Sequence, residues 1–199
     1  MFSLGVAATA IGIIGGIPYI YDTYKKKTKP HRFAWFIFLI LSVLALLTQY
    51  SLGARESLVF YTWFVVNNVI LLGLSLRKNG GYGDLSKTNV ICLLLALTAI
   101  VLWRLTDSAL LALVCVLIAD GIGAMLILVK SYRHPQTETL SMWLLGGIAT
   151  FLNILAANTL EPAILASPVQ IFIFNIGIVA AILVGRSMKK NSKSSNLVH

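Results

Sequence analysis

Charged side chains are scarce in this chain of 199 residues. Asp, Glu, Lys and Arg make up 12% of the sequence, whereas 58% is hydrophobic and the mean hydropathy is +0.86. A typical water-soluble domain has a charged fraction of about 25%. The composition therefore excludes the ordinary soluble classes and predicts a protein of the lipid bilayer.

The residue types that build crosslinks, metal sites and catalytic centres are also few. The only two cysteines, Cys92 and Cys115, lie inside apolar runs, which argues against a disulfide or a metal site and favours small buried side chains. The histidines are in loops or in the tail, without metal-ligand spacing, and no catalytic or phosphate-binding motif occurs. We therefore expect no enzyme activity, no metal and no cofactor.

Long apolar runs are abundant, and seven of them approach the roughly 20 residues that cross a bilayer. They cover about 3–22, 33–52, 57–76, 89–106, 109–130, 141–158 and 163–186. Such runs must satisfy their backbone hydrogen bonds internally, which predicts an all-α membrane protein with seven transmembrane helices. No basic stretch precedes the first run, so we expect a retained span and not a cleaved signal peptide.

The basic residues sort by loop. If the N-terminus is outside, all but two of the 16 lysines and arginines fall on one side, and Arg55 and Arg104 are the exceptions. Cytoplasmic loops are enriched in Lys and Arg, which predicts an outer N-terminus and a cytoplasmic C-terminus in the cell (inner or plasma) membrane. Because the net charge of +9 is spread over loops, nucleic acid is not an expected partner.

The chain aligns with itself at a shift of 108 positions, so that residues 3–82 match 111–190 without a gap. The matches include the scarce types Tyr24/Tyr132, Trp35/Trp143 and Asn67/Asn175. Each copy contains three spans, and one further span lies between the copies. The chain therefore crosses the membrane four times before the second copy begins, so both copies enter from the same side as parallel repeats. The alternative is coincidence, because Leu-rich sequences share many residues by chance.

The repeat predicts four segments. Residues 1–82 form the first three-helix repeat, 83–108 the linker loop and helix, and 109–190 the second repeat. Residues 191–199 are expected to be a disordered cytoplasmic tail.

Several motifs resemble those of a known superfamily. Residues 137–141 read TETLS and resemble the T-E-G-L-S sequence after the first helix of a PQ-loop repeat, and TKPH at 28–31 is a weaker counterpart. Pro18-Tyr19 stands where that family has Pro-Gln, and Asn67 and Asn175 fall on the third and seventh spans, where SWEET transporters carry paired asparagines. The chain thus resembles SWEET and PQ-loop transporters, and in particular uncharacterised bacterial members with a K-T-K-P-H-R-F loop.

The resemblance implies two parallel three-helix bundles joined by a linker helix, and alternating-access transport of a small polar solute. A sugar, a nucleoside or vitamin, or an amino acid fits, with or without proton coupling. Leu126 replaces the family's proline in the second copy, so sugar specificity stays open. The alternatives are a membrane receptor or sensor and a scaffold subunit on the same fold. The expected partners are the solute and the lipid bilayer, and a homo-oligomer is left open.

Asp120 is the only carboxylate deep inside an apolar run. Placing an ionised carboxylate at that depth costs about 2.5–3.5 kcal/mol on insertion scales, so such residues usually face a cavity and have a function. Desolvation favours the neutral acid, which predicts a proton or cation switch. The alternative is an acid that satisfies loosened backbone near Gly121 and Gly123.

Asn67 and Asn175 lie near the middle of their spans and carry both donors and acceptors, which suits a polyhydroxylated or amide solute. Trp63 is one helical turn before Asn67 and could stack against a ring, and Asn153 is at a similar depth on the sixth span. The alternative is that these amides hold helices together, which contributes about 0.6 kcal/mol each on average.

Pro18, together with Gly15 and Gly16, predicts a hinge near the cytoplasmic end of the first span, since proline removes a helical donor. A static kink is the alternative. Trp35 and Trp143 open the second and sixth spans, and this position predicts headgroup-level anchors.

Overall fold

The computed structural model describes residues 4–51, 58–105, 109–156, 160 and 162–195. Within these residues the chain forms seven α-helices and no strand: α1 Leu4–Tyr24, α2 Arg32–Ser51, α3 Leu58–Leu76, α4 Lys87–Leu105, α5 Ala109–Arg133, α6 Leu140–Ala156 and α7 Pro162–Ser195. The predicted all-α class is confirmed for this part of the chain. Arg55 and His199, considered above, lie outside the described residues.

Three helical stretches are long and apolar enough to cross a membrane: Leu4–Tyr24, Leu113–Arg133 and Leu165–Lys190. Shorter apolar stretches lie in the other four helices, at Arg32–Leu47, Thr62–Leu76, Lys87–Leu102 and Leu140–Ala156. Large apolar side chains are exposed along the helices, including Ile14, Leu94 and Ile173. Many exposed apolar side chains on long apolar helices fit contact with lipid.

The C-terminal helix is longer than the sequence pattern predicts. The apolar run ends near residue 186, but α7 continues to Ser195. The expectation of a disordered tail is therefore wrong for residues 191–195. No glycine or proline interrupts 186–195, and each added helical residue gains a backbone hydrogen bond.

Single residues in the left-handed conformation end two of the helices. Lys26 has φ 59° after α1, where the Lys27 amide donates to the Asp22 carbonyl at 2.9 Å. Asn79 has φ 60° after α3, where the Gly80 amide donates to the Arg77 carbonyl at 2.8 Å. Such turns pair the last helical carbonyls and redirect the chain.

Four connecting or terminal segments meet at one end of the molecule, which we call the loop end: residues 25–31, 77–86, 134–139 and the end of α7. The Lys29 amide donates to the Thr137 carbonyl at 3.0 Å, and the Tyr82 amide donates to the Pro30 carbonyl at 2.9 Å. Arg186 on α7 reaches the Glu138 carbonyl at 3.3 Å. Helices α1, α3, α5 and α7 thus run toward the loop end, whereas α2, α4 and α6 begin there.

The packing partners define two seams. Helix α1 packs on α6 and α3, α2 packs on α3, α4 and α5, and α7 packs on α5 and α6, while α4 also contacts α5. We call the α1–α6 and α2–α5 contacts the two seams. Glycine permits close approach at both: a Cβ on Gly15 would lie 2.9 Å from Leu145 Cβ, and one on Gly123 would lie 2.7 Å from Phe38 Cε1.

The larger buried apolar cluster lies toward the loop end and joins six helices. Its members include Tyr19 of α1, Trp35 of α2, Leu71 of α3, Ile127 of α5, Trp143 of α6 and Ile182 of α7. A second cluster joins α2, α4 and α5 and contains Cys115, a small buried side chain as predicted.

Candidate functional site

A buried ion pair lies at the loop end, where the α1–α6 seam meets α5. Lys130 Nζ lies 2.5 Å from Glu138 Oε1, and the two side chains are 1% and 0% exposed. Lys130 also donates to the Thr137 carbonyl at 2.8 Å, and the Trp143 indole donates to Glu138 Oε2 at 3.0 Å. We call Tyr19, Lys130, Glu138 and Trp143 the seam cluster. Its hydrogen bonds offset part of the large desolvation cost of two buried charges.

Tyr19 of α1 connects this ion pair to α2. Its ring is fully buried between two indoles, with centroid distances of 5.6 Å to Trp35 and 6.1 Å to Trp143. Its hydroxyl makes a long hydrogen bond of 3.5 Å to Glu138 Oε1. Tyr19 therefore joins Glu138, in the connection before α6, to α1 and α2.

The prediction that Trp35 and Trp143 are headgroup anchors is wrong. The two side chains are 3% and 7% exposed and lie in the core. Their position at helix ends suggested the membrane–water interface. Instead, both rings pack against Tyr19 and point into the core. Trp35 Nε1 is buried without a hydrogen-bond partner among the described residues, whereas Trp143 Nε1 donates to Glu138.

The connections after α1 and α5 are also joined directly. Thr28 and Thr139 hydrogen-bond through their hydroxyls, and Thr139 donates to Asp22 Oδ2 at 2.8 Å. Together with the Lys29 to Thr137 backbone bond, these contacts fasten the two connections to each other. The α1–α6 seam is consequently closed at the loop end.

Tyr82, from the connection between α3 and α4, covers the same region. Its ring centroid lies 5.5 Å from that of His31 and 5.0 Å from that of His134, and Lys130 Nζ is 6.0 Å from the Tyr82 centroid. Burial lowers the pKa of His31 to about 4, and the nearby Lys130 charge acts in the same direction. His31 is therefore neutral at physiological pH.

The predicted solute-binding asparagines are both buried, at 9% exposure for Asn67 and 8% for Asn175. Asn67 Oδ1 has no hydrogen-bond partner among the described residues and lies 3.5 Å from where a Cβ on Gly16 would be. Asn175 donates to the Ile171 carbonyl at 3.0 Å, and its Oδ1 lies 3.0 Å from the Cβ position of Gly146. Each asparagine thus faces a glycine, on α1 and on α6 respectively.

These glycine contacts show how the two asparagines relate to the α1–α6 seam. Gly15 and Gly16 are adjacent on α1, and Leu145 and Gly146 are adjacent on α6. Since Gly15 meets Leu145, the tight seam lies between the two asparagines. Asn67 contacts it from α3 and Asn175 from α7.

The other predicted solute contacts are less enclosed. Trp63 is half-buried on α3, and Asn153 on α6 is exposed. Neighbouring Asn68 is buried and donates to the Phe38 carbonyl at 3.2 Å and to Ser42 Oγ at 3.1 Å. Asn68 therefore holds α2 to α3, as the packing alternative for asparagines describes.

Asp120 lies on α5 and faces α7. Gln170 donates to Asp120 Oδ2 at 3.1 Å and to the Leu117 carbonyl at 2.9 Å. Because an amide can donate to either form of a carboxyl group, this contact permits both protonation states. Gly121 beside it has the Gln170 side chain 3.6 Å from its Cβ position, so the acid and the amide share one small polar site.

Pro18 lies inside α1, one residue before Tyr19 and two after Gly16. The helix continues through it to Tyr24, so the missing donor of Pro18 is tolerated without a break in this conformation. Gly15 and Gly16 are both buried. The proposed hinge therefore lies between the seam cluster and the glycine that faces Asn67.

The sequence reasoning missed three functional candidates: Lys130, Glu138 and Gln170. The sequence pattern presents Lys130 only as a loop charge and Glu138 only as part of the TETLS motif. A signal was available, since Lys130 is the last residue of the apolar run 109–130 and Glu138 follows it in the next connection. Gln170 carried no comparable local signal.

Among the described residues, no group of three or more His, Cys, Asp or Glu side chains could hold a metal ion. Comparison of the chain with protein-family models, with curated proteins and with solved structures gave no match.

Proposed function

We propose that the protein is a membrane transporter of a small polar solute, of the SWEET and PQ-loop type, working by alternating access. Helices α1–α3 would form one half, α5–α7 a parallel second half, and α4 the linker. The N-terminus would be outside and the C-terminus cytoplasmic, which makes the loop end the cytoplasmic end.

The exchange of packing partners supports a duplicated architecture. The 108-residue shift converts α1, α2 and α3 into α5, α6 and α7. Under this exchange the α1–α3 contact corresponds to α5–α7, and α2–α3 corresponds to α6–α7. The α1–α6 seam corresponds to the α2–α5 seam. All six of these helix pairs pack together. The repeat-equivalent Gly15 and Gly123 each make the close contact at their seam. Coincidence between two Leu-rich segments gives no reason for this agreement.

The observation that carries the proposed binding role is the unpartnered Oδ1 of Asn67. Leaving a buried acceptor unsatisfied costs about 1–3 kcal/mol. Asn67 Oδ1 faces Gly16 and lies 3.5 Å from the position that a Cβ on Gly16 would take. A solute hydroxyl or N–H would supply the missing donor.

Access to Asn67 requires helix movement. The side chain is buried beside α1, and α1 is held to α6 by the Gly15 contact and by the seam cluster. Bending at Pro18 would separate the part of α1 near Asn67 from the part that is fixed at the loop end. The closed loop end corresponds to a state in which solute would enter from the opposite, outer side.

Asp120 would provide proton coupling in this scheme. Gln170 keeps the carboxyl oriented between α5 and α7 within the second half. Gain or loss of a proton there changes the cost of burying the group, and hence the preferred packing of the two helices.

The decisive experiment is uptake into proteoliposomes of a panel of sugars, nucleosides and amino acids, with and without a pH gradient. We expect saturable uptake of at least one solute class. Asn67→Leu and Asn175→Leu should each abolish this uptake, although both variants insert into the liposomes and unfold at a temperature no lower than that of the wild type. Asp120→Asn should retain exchange but lose its response to the gradient.

Two outcomes would contradict the proposal. Normal uptake by both asparagine variants would remove the binding site. Absence of flux for every class, with a tightly bound partner protein instead, would favour the receptor or scaffold alternative.

A further inference from the structure

A cleft that plays no part in the proposed transport route lies between α2, α3, α4 and the connection before α4. Its volume is about 510 Å³, within the range of about 300–1,000 Å³ that accommodates small ligands. The walls are mainly apolar and include Phe36, Leu72, Leu76 and Leu93, while Arg32 and Asp84 supply polar groups. Phe36 and Leu76 are 40% and 65% exposed, so the cleft opens to the outside of the helix bundle.

Arg32 places a cation in this cleft without a protein counter-ion. Its Nε donates to the Ser75 carbonyl at 2.9 Å and its Nη1 to the Gly83 carbonyl at 3.2 Å. These bonds fix the guanidinium but do not neutralise it, and Arg32 forms no ion pair within the described ranges. Its Nη2 makes no hydrogen bond to any described residue.

Asp84 also lines the cleft but forms no ion pair with Arg32, and its carboxylate is held by the turn before α4. Oδ1 accepts from the Ser86 amide at 3.3 Å and from Asn89 Nδ2 at 3.3 Å. Lys78 and Lys87, both exposed, flank this connection and add further positive charge. Counting Asp84 as one negative charge against Arg32, Lys78 and Lys87, the polar end and the connection beside it carry a net charge of +2, and the remainder of the cleft is apolar.

We propose that this cleft binds one anionic phospholipid of the bilayer, with its phosphate at Arg32 and an acyl chain along Phe36, Leu72 and Leu93. A phospholipid matches both parts of the cleft, because its phosphate would meet the Arg32 guanidinium while its acyl chain would cover the apolar walls. The cleft adjoins the loop end, where span ends and headgroups coincide. Such a lipid would rest on α2, α3 and α4 alone and leave both seams free.

The test uses the full-length protein, purified in neutral detergent and analysed by native mass spectrometry with added dioleoylphosphatidylglycerol or dioleoylphosphatidylcholine. We expect retention of the anionic lipid to exceed that of the zwitterionic lipid by about fivefold, the ratio that corresponds to about 1 kcal/mol, because both lipids carry a phosphate but the choline cation of phosphatidylcholine cancels its charge. The preference should shrink as salt rises. Equal retention of the two lipids at low salt would overturn the proposal.

Matched variants locate the site. Leu93→Trp fills the cleft and should abolish the preference, whereas Leu94→Trp, on the exposed side of the same helix, should retain it. Phe36→Ala removes an exposed wall residue without filling the cleft, with Leu47→Ala on α2 as its control. Equal behaviour of the cleft variants and their controls would refute the location.

A soluble anion separates a lipid site from a phosphate site. Glycerol 3-phosphate at the same concentration should leave the thermal midpoint unchanged, whereas phosphatidylglycerol should raise it. An equal rise with both compounds would show a phosphate site without acyl recognition and would overturn the lipid proposal.

Discussion

The buried pair Lys130–Glu138 gives the sharpest energetic prediction. Both side chains are at most 1% exposed, so removal of either charge leaves the other desolvated and uncompensated. Breaking one partner of such a pair costs about 3–5 kcal/mol, whereas replacing both with neutral groups is often neutral or stabilising. We therefore expect Lys130→Met and Glu138→Gln each to destabilise the protein strongly, and the double variant to recover most of the loss.

Thermal unfolding in detergent measures this coupling. For a chain of this size about 1 kcal/mol corresponds to roughly 2–4 °C, so each single variant should lose about 10 °C. The double variant should lie within a few degrees of wild type because Gln at 138 still offers an acceptor to the Trp143 indole. Lys189→Met is the control, since Lys189 is exposed and only touches Gln136 at 3.4 Å.

Two results would refute this reasoning. Losses that add in the double variant would mean that the two charges do not stabilise each other. A Glu138→Gln variant as stable as Lys189→Met would mean that the pair does not close the loop end.

Three further predictions rest on separate contacts. Gly15→Ala should destabilise the seam by about 1–3 kcal/mol because its Cβ would lie 2.9 Å from α6, whereas Gly12→Ala, with a distance of 3.8 Å, should be tolerated; unfolding midpoints decide. Asn67→Leu should keep or raise the unfolding midpoint but abolish stabilisation by a transported solute. Asn68→Leu should lower the unfolding midpoint because it removes two hydrogen bonds. A lower midpoint for Asn67→Leu than for Asn68→Leu would make Asn67 a packing residue. The folded-state pKa of His31, about 4, lies below its ordinary 6.5. The stability that neutral His31 contributes should therefore be fully present above pH 6.5 and be lost as the pH drops toward 4. His31→Phe should flatten this dependence of the unfolding midpoint on pH, and an unchanged dependence would refute the prediction.

The helices could be predicted from the sequence because run length and apolar content are local properties. All seven apolar runs correspond to described helices. The predicted end of the last helix is wrong, because a polar sequence without glycine or proline continues α7 to Ser195. The environment of Asn67 was anticipated only in part: its depth was predicted, but the facing Gly16 and the missing donor depend on how α1 packs on α3.

Contacts between distant segments explain what sequence reasoning missed. Trp35 and Trp143 occupy helix ends, a position that suits a lipid anchor equally well, and only the shared contact with Tyr19 shows that they are core residues. Lys130 resembles a cytoplasmic loop charge until the following connection folds Glu138 back onto it. Gln170 reaches Asp120 from fifty residues away, and no spacing rule indicates such a pair.

We propose that α1–α3 and α5–α7 separate at the loop end when solute is exchanged. This separation can be measured directly as the distance distribution between spin labels at Lys27 and Gln136, exposed positions on the two joined connections, after Cys92→Ser and Cys115→Ala in proteoliposomes. We predict a short distance that is dominant without solute and a second, longer distance that grows with a transported solute and with Glu138→Gln. A single short distance that neither the solute panel nor Glu138→Gln changes would contradict the account.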